Sequence, residues 1–272
     1  MKVEDIDELK KIAKNIRKDI LMQVYSAKSG HPGGSLSIAD ILTVLYFNQM
    51  NINEKMPNDP LRDRLVLSKG HCSPALYATL AERGFFDKEK LTSFRSIEGK
   101  LEGHPDMNKI TGVDMSSGSL GQGLSVSNGM ALASKLNHDG FRVYCILGDG
   151  EIEEGQIWEA CMTSNKYKLD NLCVIVDNNN LQIDGKIEDV KGLDNIEGKF
   201  KSFGFNTICI DGNNIEQIID AFETAKMTKE MPTAIIAKTV KGKGVSFMEN
   251  KPEWHGKAPS KEEYEQAINE LD

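Results

Sequence analysis

Five short apolar runs punctuate the chain: "RLVLS" at 64–68, "RVYCIL" at 142–147, "NLCVIVD" at 171–177, "NTICID" at 206–211 and "TAIIAKTV" at 233–240. They are short and rich in β-branched residues, which marks them as buried strands. Between them, "SPALYATLAERG" (73–84), "GLSVSNGMALASKL" (123–136), "GQIWEACMTSNKY" (155–167) and "IEQIIDAFETAK" (215–226) carry apolar residues at helical spacing. Ahead of all of these, Ile6, Leu9, Ile12, Ile16, Ile20 and Val24 recur among charged residues, the pattern of an amphipathic helix. Strand and helix patterns in alternation predict an α/β protein with three layers, α/β/α, around a mostly parallel sheet. With no internal repeat, low-complexity tract or linker-like Pro/Ser run, residues 1–272 read as a single compact domain. Segments 94–118 and 241–260 lack either period and carry Gly, Lys and His, so they read as functional loops.

Composition narrows the class. At 272 residues, 39% hydrophobic and 27% charged, the chain is that of an ordinary globular protein. No apolar run approaches the ~20 residues of a membrane helix, and the N-terminal pattern is not that of a signal peptide, so the expectation is a cytoplasmic protein away from the membrane. A net charge of −8 argues against nucleic acid as the main partner while leaving room for a local basic pocket. The five cysteines include no C-x-x-C pair, so neither disulfides nor zinc is implied.

Ligands of open α/β sheets bind just beyond the carboxyl ends of the strands. After "RVYCIL" comes "GDGE", with Asp149 between two glycines; thirty residues further on, Asn179 lies in the "DNNNLQIDG" that follows "NLCVIV". One strand-helix-strand unit returns the chain to the same sheet edge, so the two turns are expected to be neighbours. Asp149, the Asn179 amide oxygen and a main-chain carbonyl such as that of Leu181 would make a set of hard oxygen ligands suited to Mg²⁺ beside a diphosphate. Gly150 leaves space for that diphosphate, and the helix opening near 151–155 would aim its N-terminal N–H groups at it. Taken singly, "GDG" is most often a plain turn and "NNN" a common loop. "GSLGQG" at 118–123 adds small residues at a helix start, and no G-x-x-x-x-G-K-[ST] occurs. Four of the five histidines, His31, His71, His104 and His255, stand next to a glycine in turn contexts, whereas His138 reads as an exposed helix end. Imidazoles so placed suit proton transfer to hydroxyls and carbonyls.

The paired turns resemble the thiamine diphosphate motif. "SGHPGG", "LSKGH", "EGHP", "SSGSLGQG", "LGDGE" and "KTVKGKG" follow one another as in the N-terminal, diphosphate-binding domain of transketolase, a resemblance that runs over essentially all 272 residues. It implies the thiamine diphosphate-binding fold, with thiamine diphosphate and Mg²⁺ or Ca²⁺ as cofactors. By the same resemblance Asp149, Asn179 and the Leu181 carbonyl would hold the metal. Lys69, His71, Gly118, Ser119, Leu120, Gly150, Asn179, Lys241 and His255 would bind the diphosphate and thiazolium end. His31, His104 and His255 would face the sugar, and Glu154 would reach toward a partner's pyrimidine-activating carboxylate. The expected reaction is transfer of a two-carbon ketol unit between sugar phosphates. The chain stops at "INELD" without a pyrimidine-binding domain, so the resemblance implies one half of a split transketolase with a separate pyrimidine-binding subunit, as α₂β₂. Two other readings stand beside it: the α subunit of a 2-oxo-acid dehydrogenase, and a non-catalytic regulatory subunit that keeps the fold.

Overall fold

The computed structural model describes residues 2–183 and 185–272. Its strands are β1 (Arg64–Leu67), β2 (Val143–Gly148), β3 (Leu172–Asn178), β4 (Leu181–Gln182), β5 (Gly185–Lys186), β6 (Asn206–Asp211) and β7 (Thr233–Lys238). The helices are α1 (Ile6–Ala27), α2 (Pro32–Ser37), α3 (Ala39–Val44), α4 (Ser73–Arg83), α5 (Gln122–Asn137), α6 (Gly155–Lys166), α7 (Ile187–Val190), α8 (Ile196–Ser202), α9 (Ile215–Met227) and α10 (Lys261–Glu270). Five strands form one sheet in the order β1-β2-β3-β7-β6, with every pairing parallel. β4 and β5 make a separate antiparallel ladder beyond the end of β3.

The period of two along the strands divides the core between the two faces of the sheet. Along β2, Val143, Cys145 and Leu147 pack with Leu124 and Ala131 of α5, Ile157 and Cys161 of α6 and Phe200 of α8. Tyr144 and Ile146 point the other way, into a cluster with α1, α3, α4 and α9. Both faces are covered, and for that reason the strands read as unbroken apolar runs rather than alternating ones. The expected three-layer α/β/α architecture is the observed one, and each predicted strand lies within a residue or two of its observed span.

The chain between 32 and 49, expected only as the turn around His31, is instead buried α2 and α3 followed by a π-helical turn, Leu45–Gln49. Pro32 at the first helical position fits α2, since its missing N–H would have had no partner there. Segments 94–118 and 241–260 hold no α-helix or strand, as expected; their regular pieces are turns and a 3₁₀ stretch at Pro252–His255. No helix among the described residues is long and apolar enough to cross a membrane.

Candidate active site at the carboxyl ends of the strands

The parallel register sets Leu67 beside Ile146 and Gly148 beside Asp177. Lys69 and His71 after β1, the GDG turn after β2, Asn179 to Leu181 after β3 and Lys241 after β7 therefore gather at one edge of the sheet. They surround a cavity of about 330 Å³. Of the residues expected from sequence, His31, Lys69, His71, His104, Gly118, Leu120, Asp149, Gly150, Asn179, Leu181, Lys241 and His255 all line it. Ser119 and Glu154 do not line it: Ser119 is exposed on the turn beside it, and Glu154 is exposed at the N-cap of α6.

The two acidic and amide turns are fastened to each other. Asp149 accepts from the backbone N–H of Gly150 at 2.9 Å and from that of Asn180 at 2.6 Å. Asn179 Nδ2 donates to Asp177 at 3.1 Å, and its Oδ1 accepts from Leu181 N at 3.1 Å. Burial, reinforced by the negative charge of Asp177, pushes the Asp149 carboxyl up to about 7. Among the described residues no three His, Cys, Asp or Glu side chains converge as a metal cage. The expected donor set is of another kind, one carboxylate with an amide and a main-chain oxygen.

Two buried ammonium groups face these oxygens. Lys69 Nζ donates to Asp177 Oδ2 at 2.5 Å and to Gly34 O at 2.9 Å. Burial alone would lower its pKa, but Asp177 holds it above the ordinary lysine value. Lys241 Nζ donates to Leu181 O at 3.1 Å and contacts His255 Nδ1 at 3.0 Å. Burial and the charge of Lys69 lower the Lys241 pKa.

Three imidazoles cluster above them, with ring centroids 5.1 Å apart for His31 and His71, 5.3 Å for His31 and His255, and 5.2 Å for His71 and His255. Burial and neighbouring cations lower His31 and His71 to about 4 and His255 to about 3, so all three are neutral at pH 7. His104 stands at the exposed rim, against Gly118. A Cβ on Gly118, whose φ is +148°, would lie 3.1 Å from the His104 ring, and one on Gly150 would lie 3.2 Å from Gln182. Side chains at either place would narrow the cavity.

Sequence reasoning missed two carboxylates here. Asp177, fully buried, also accepts from Ser37 Oγ at 2.7 Å and from Thr239 Oγ1. Glu151 accepts from Ser68 Oγ, from Gly121 N at 2.9 Å and from Gly148 N at 2.9 Å, tying the end of β1, the 118–121 turn and the GDG turn together. The one sequence signal for Asp177 was an acid closing an otherwise apolar strand. Its partner Lys69 is too distant in sequence to be paired with it by inspection.

Fold and cavity define the class of protein: an α/β enzyme module that collects cations, imidazoles and a buried carboxylate at the carboxyl edge of a parallel sheet. The family model described as "Transketolase, thiamine diphosphate binding domain" matches residues 8–271. The chain is 42% identical over 255 residues to one of the subunits of the apulose-4-phosphate transketolase of Phocaeicola vulgatus, covering 94% of this chain and 90% of that one. It is 44% identical over 272 residues to a 6-deoxy-6-sulfo-D-fructose transketolase subunit from a Clostridium species, covering 100% and 98%. Among solved structures, the transketolase of Campylobacter jejuni superposes with a TM-score of 0.91 at 35% identity, over 98% of this chain but 43% of that enzyme. The chain belongs to the transketolase family and corresponds to its thiamine diphosphate-binding domain. That membership sets aside the 2-oxo-acid dehydrogenase reading.

Proposed function

We propose that this chain, folded as one diphosphate-binding domain over 1–272, is the cofactor-binding subunit of a split transketolase that moves a two-carbon ketol unit from a ketose phosphate to an aldose phosphate. Its relatives named as subunits are matched over nearly their whole length, which supports a separate partner chain. That partner would carry the pyrimidine-binding domain, and the assembly would hold two copies of each chain. The observation that carries the reading is the meeting, in one cavity, of Asp149, Asn179, Lys69, Lys241 and the histidine cluster.

The cavity suits thiamine diphosphate with Mg²⁺ or Ca²⁺. Burial and the charge of Asp177 hold the Asp149 pKa up at about 7, and a divalent cation beside its carboxylate would favour the charged form. Gln182 Nε2 is buried without a partner among the described residues, a donor for an anionic oxygen. Asp149, Asn179 and the Leu181 carbonyl would hold the metal; the carbonyl keeps a second lone pair while accepting from Lys241. Lys69, His71, Gly118, Ser119, Leu120, Gly150, Lys241 and His255 would hold the diphosphate and thiazolium end.

When bound, the cofactor supplies a carbon nucleophile and an electron sink for cleavage of the ketose C2–C3 bond. The protein's share is orientation and proton transfer. His31 and His104 would accept or donate a proton at a sugar hydroxyl or carbonyl oxygen, while His255, its Nδ1 taken by Lys241, would offer Nε2–H as a donor there. Glu154, exposed at the start of α6, is free to meet a partner's carboxyl group.

The test is reconstitution. The purified chain is assayed for ketol transfer with and without the pyrimidine-binding chain, using a panel that includes apulose 4-phosphate, sulfofructose and common ketose phosphates. Turnover only in the mixture supports the proposal; turnover by the single chain overturns it.

A further inference from the structure

The turn that presents Lys241 is gripped from its far side by residues that do not line the cavity. Val240 N donates to Asn213 Oδ1 at 3.0 Å, and Lys243 O accepts from Arg17 Nε at 3.2 Å, so the backbone is held on both sides of Lys241. Asp40 joins the two grips. Its carboxylate takes Arg17 in a buried bidentate pair at 3.0 and 2.6 Å, and its Oδ2 also accepts from Asn213 Nδ2 at 2.9 Å. A carboxylate only accepts, so it dictates which end of the Asn213 amide faces it and turns Oδ1 toward Val240. Asn213 Nδ2 also donates to Ser37 O at 3.3 Å, and the Ser37 hydroxyl donates to Asp177, the partner of Lys69. Buried ion pairs contribute little net stability compared with apolar packing of the same volume. What this pair does supply is a fixed direction for each of its hydrogen bonds.

We propose that Arg17, Asp40 and Asn213 form a positioning relay that sets the place of Lys241 Nζ, and through it the cavity's affinity for a diphosphate-bearing cofactor; this rests on the reading of the cavity given above. Lys241 reaches both Leu181 O and His255, so a small shift of its backbone disturbs the donor to the one and the partner of the other. None of the three relay residues touches the reacting groups.

The experiment uses the chain assembled with its pyrimidine-binding partner, with thiamine diphosphate and Mg²⁺ as the titrants. Calorimetric Kd, melting temperature and kcat/KM are measured for Lys241→Met, Asp40→Asn, Asn213→Asp and the double exchange Asp40→Asn with Asn213→Asp. Each single change in the relay is expected to raise Kd about tenfold, the effect of losing a group that orients a ligand-holding side chain. The double exchange again sets a donor against a carboxylate and an acceptor against Val240, but it places an amide NH₂ beside Arg17 and leaves Ser37 O without its donor, so it is expected to recover part of the affinity that the single changes lose. Asn213→Ala, which brings no like charges together, serves where a charged single variant loses the fold. Relay variants that lower the melting temperature but keep the wild-type Kd overturn the proposal, because a merely structural brace behaves that way. Should Lys241→Met weaken binding while no relay variant does, the relay alone fails; should Lys241→Met leave Kd unchanged, the cavity reading fails and the relay with it.

Discussion

Lys241 Nζ lies 3.0 Å from His255 Nδ1. An ammonium can only donate, so Nδ1 accepts and the imidazole carries its proton on Nε2. One lysine thus fixes both the tautomer of His255 and, with burial, its low pKa of about 3.

Replacing Lys241 by Met removes the charge and the tautomer lock together. The His255 pKa is expected to move upward toward the ordinary histidine value while staying below it, because burial persists. An NMR titration of the His255 ring in Lys241→Met and the parent reads this directly, and an unshifted pKa would contradict the pairing.

The histidine cluster also predicts how stability responds to acid. The His71 pKa is about 4 in the fold against 6.5 unfolded, so between these values the unfolded chain binds the extra proton. The contribution is intact above pH 6.5 and is lost as pH falls toward 4. Asp149, raised to about 7, acts in the opposite sense, so the comparison is between variants. His71→Asn is expected to lose less stability than the parent between pH 6.5 and 4, by on the order of 2 to 3 kcal/mol. Parallel urea titrations at the two pH values decide it.

The sheet was legible because both its faces are covered, which leaves each strand as an apolar run framed by polar turns. α2 and α3 were not, because "HPGGSLS" opens with residues that disfavour helix interiors, and only tertiary burial makes it helical. The cavity was legible wherever a residue stood beside glycine or closed a strand, as with Asp149, Asn179 and His71. The Lys69–Asp177 pair and the three-way tie at Glu151 join distant turns, and no local pattern announces them. Asn213 and Asp40 were invisible for the same reason: their meaning lies in which backbone groups they hold.

Lys69 and Asp177 are both buried, with Asp177 at 0% and Lys69 at 2% exposure. Removing one partner leaves an uncompensated buried charge, which costs roughly 3 to 5 kcal/mol. Asp177→Asn is expected to destabilise by that order in chemical denaturation, and Lys69→Met combined with Asp177→Asn by less than the single change, since the buried ammonium is gone while the amide oxygen still accepts from Ser37 and Asn179. A double variant less stable than the single would show that the pair is not acting through its charges.

Asp149 is buried and hydrogen-bonded to two backbone N–H groups, so removing its side chain outright would confuse binding with folding. Asp149→Asn keeps the shape and removes the charge, at the cost of one of the two backbone hydrogen bonds, since the amide has a single acceptor oxygen. In the assembled enzyme it is expected to abolish the Mg²⁺ dependence of cofactor binding with a melting temperature within a few degrees of the parent. Calorimetry showing unaltered Mg²⁺ dependence would remove Asp149 from the metal set.

The last prediction separates the histidines of the cavity from the one outside it. His31 and His255 share the half-buried cluster, and His104 stands at the rim against Gly118, so all three can face a sugar bound in the cavity. His138 is the left-handed C-cap of α5, exposed and at the opposite end of that helix from the 118–121 turn that lines the cavity. Changing His31, His104 or His255 to Ala is expected to lower kcat/KM by a factor on the order of 10² to 10⁴, the range for a positioned acid-base group. His138→Ala should leave kcat/KM unchanged. The melting temperatures should sort differently: His31→Ala and His255→Ala remove half-buried ring packing, whereas His104→Ala removes a largely exposed ring and costs little stability. His104 is therefore the most discriminating position, since a large loss of activity there cannot be attributed to a weakened fold. Equal kinetic effects at His104 and His138 would mean that the rim histidine does not act on substrate.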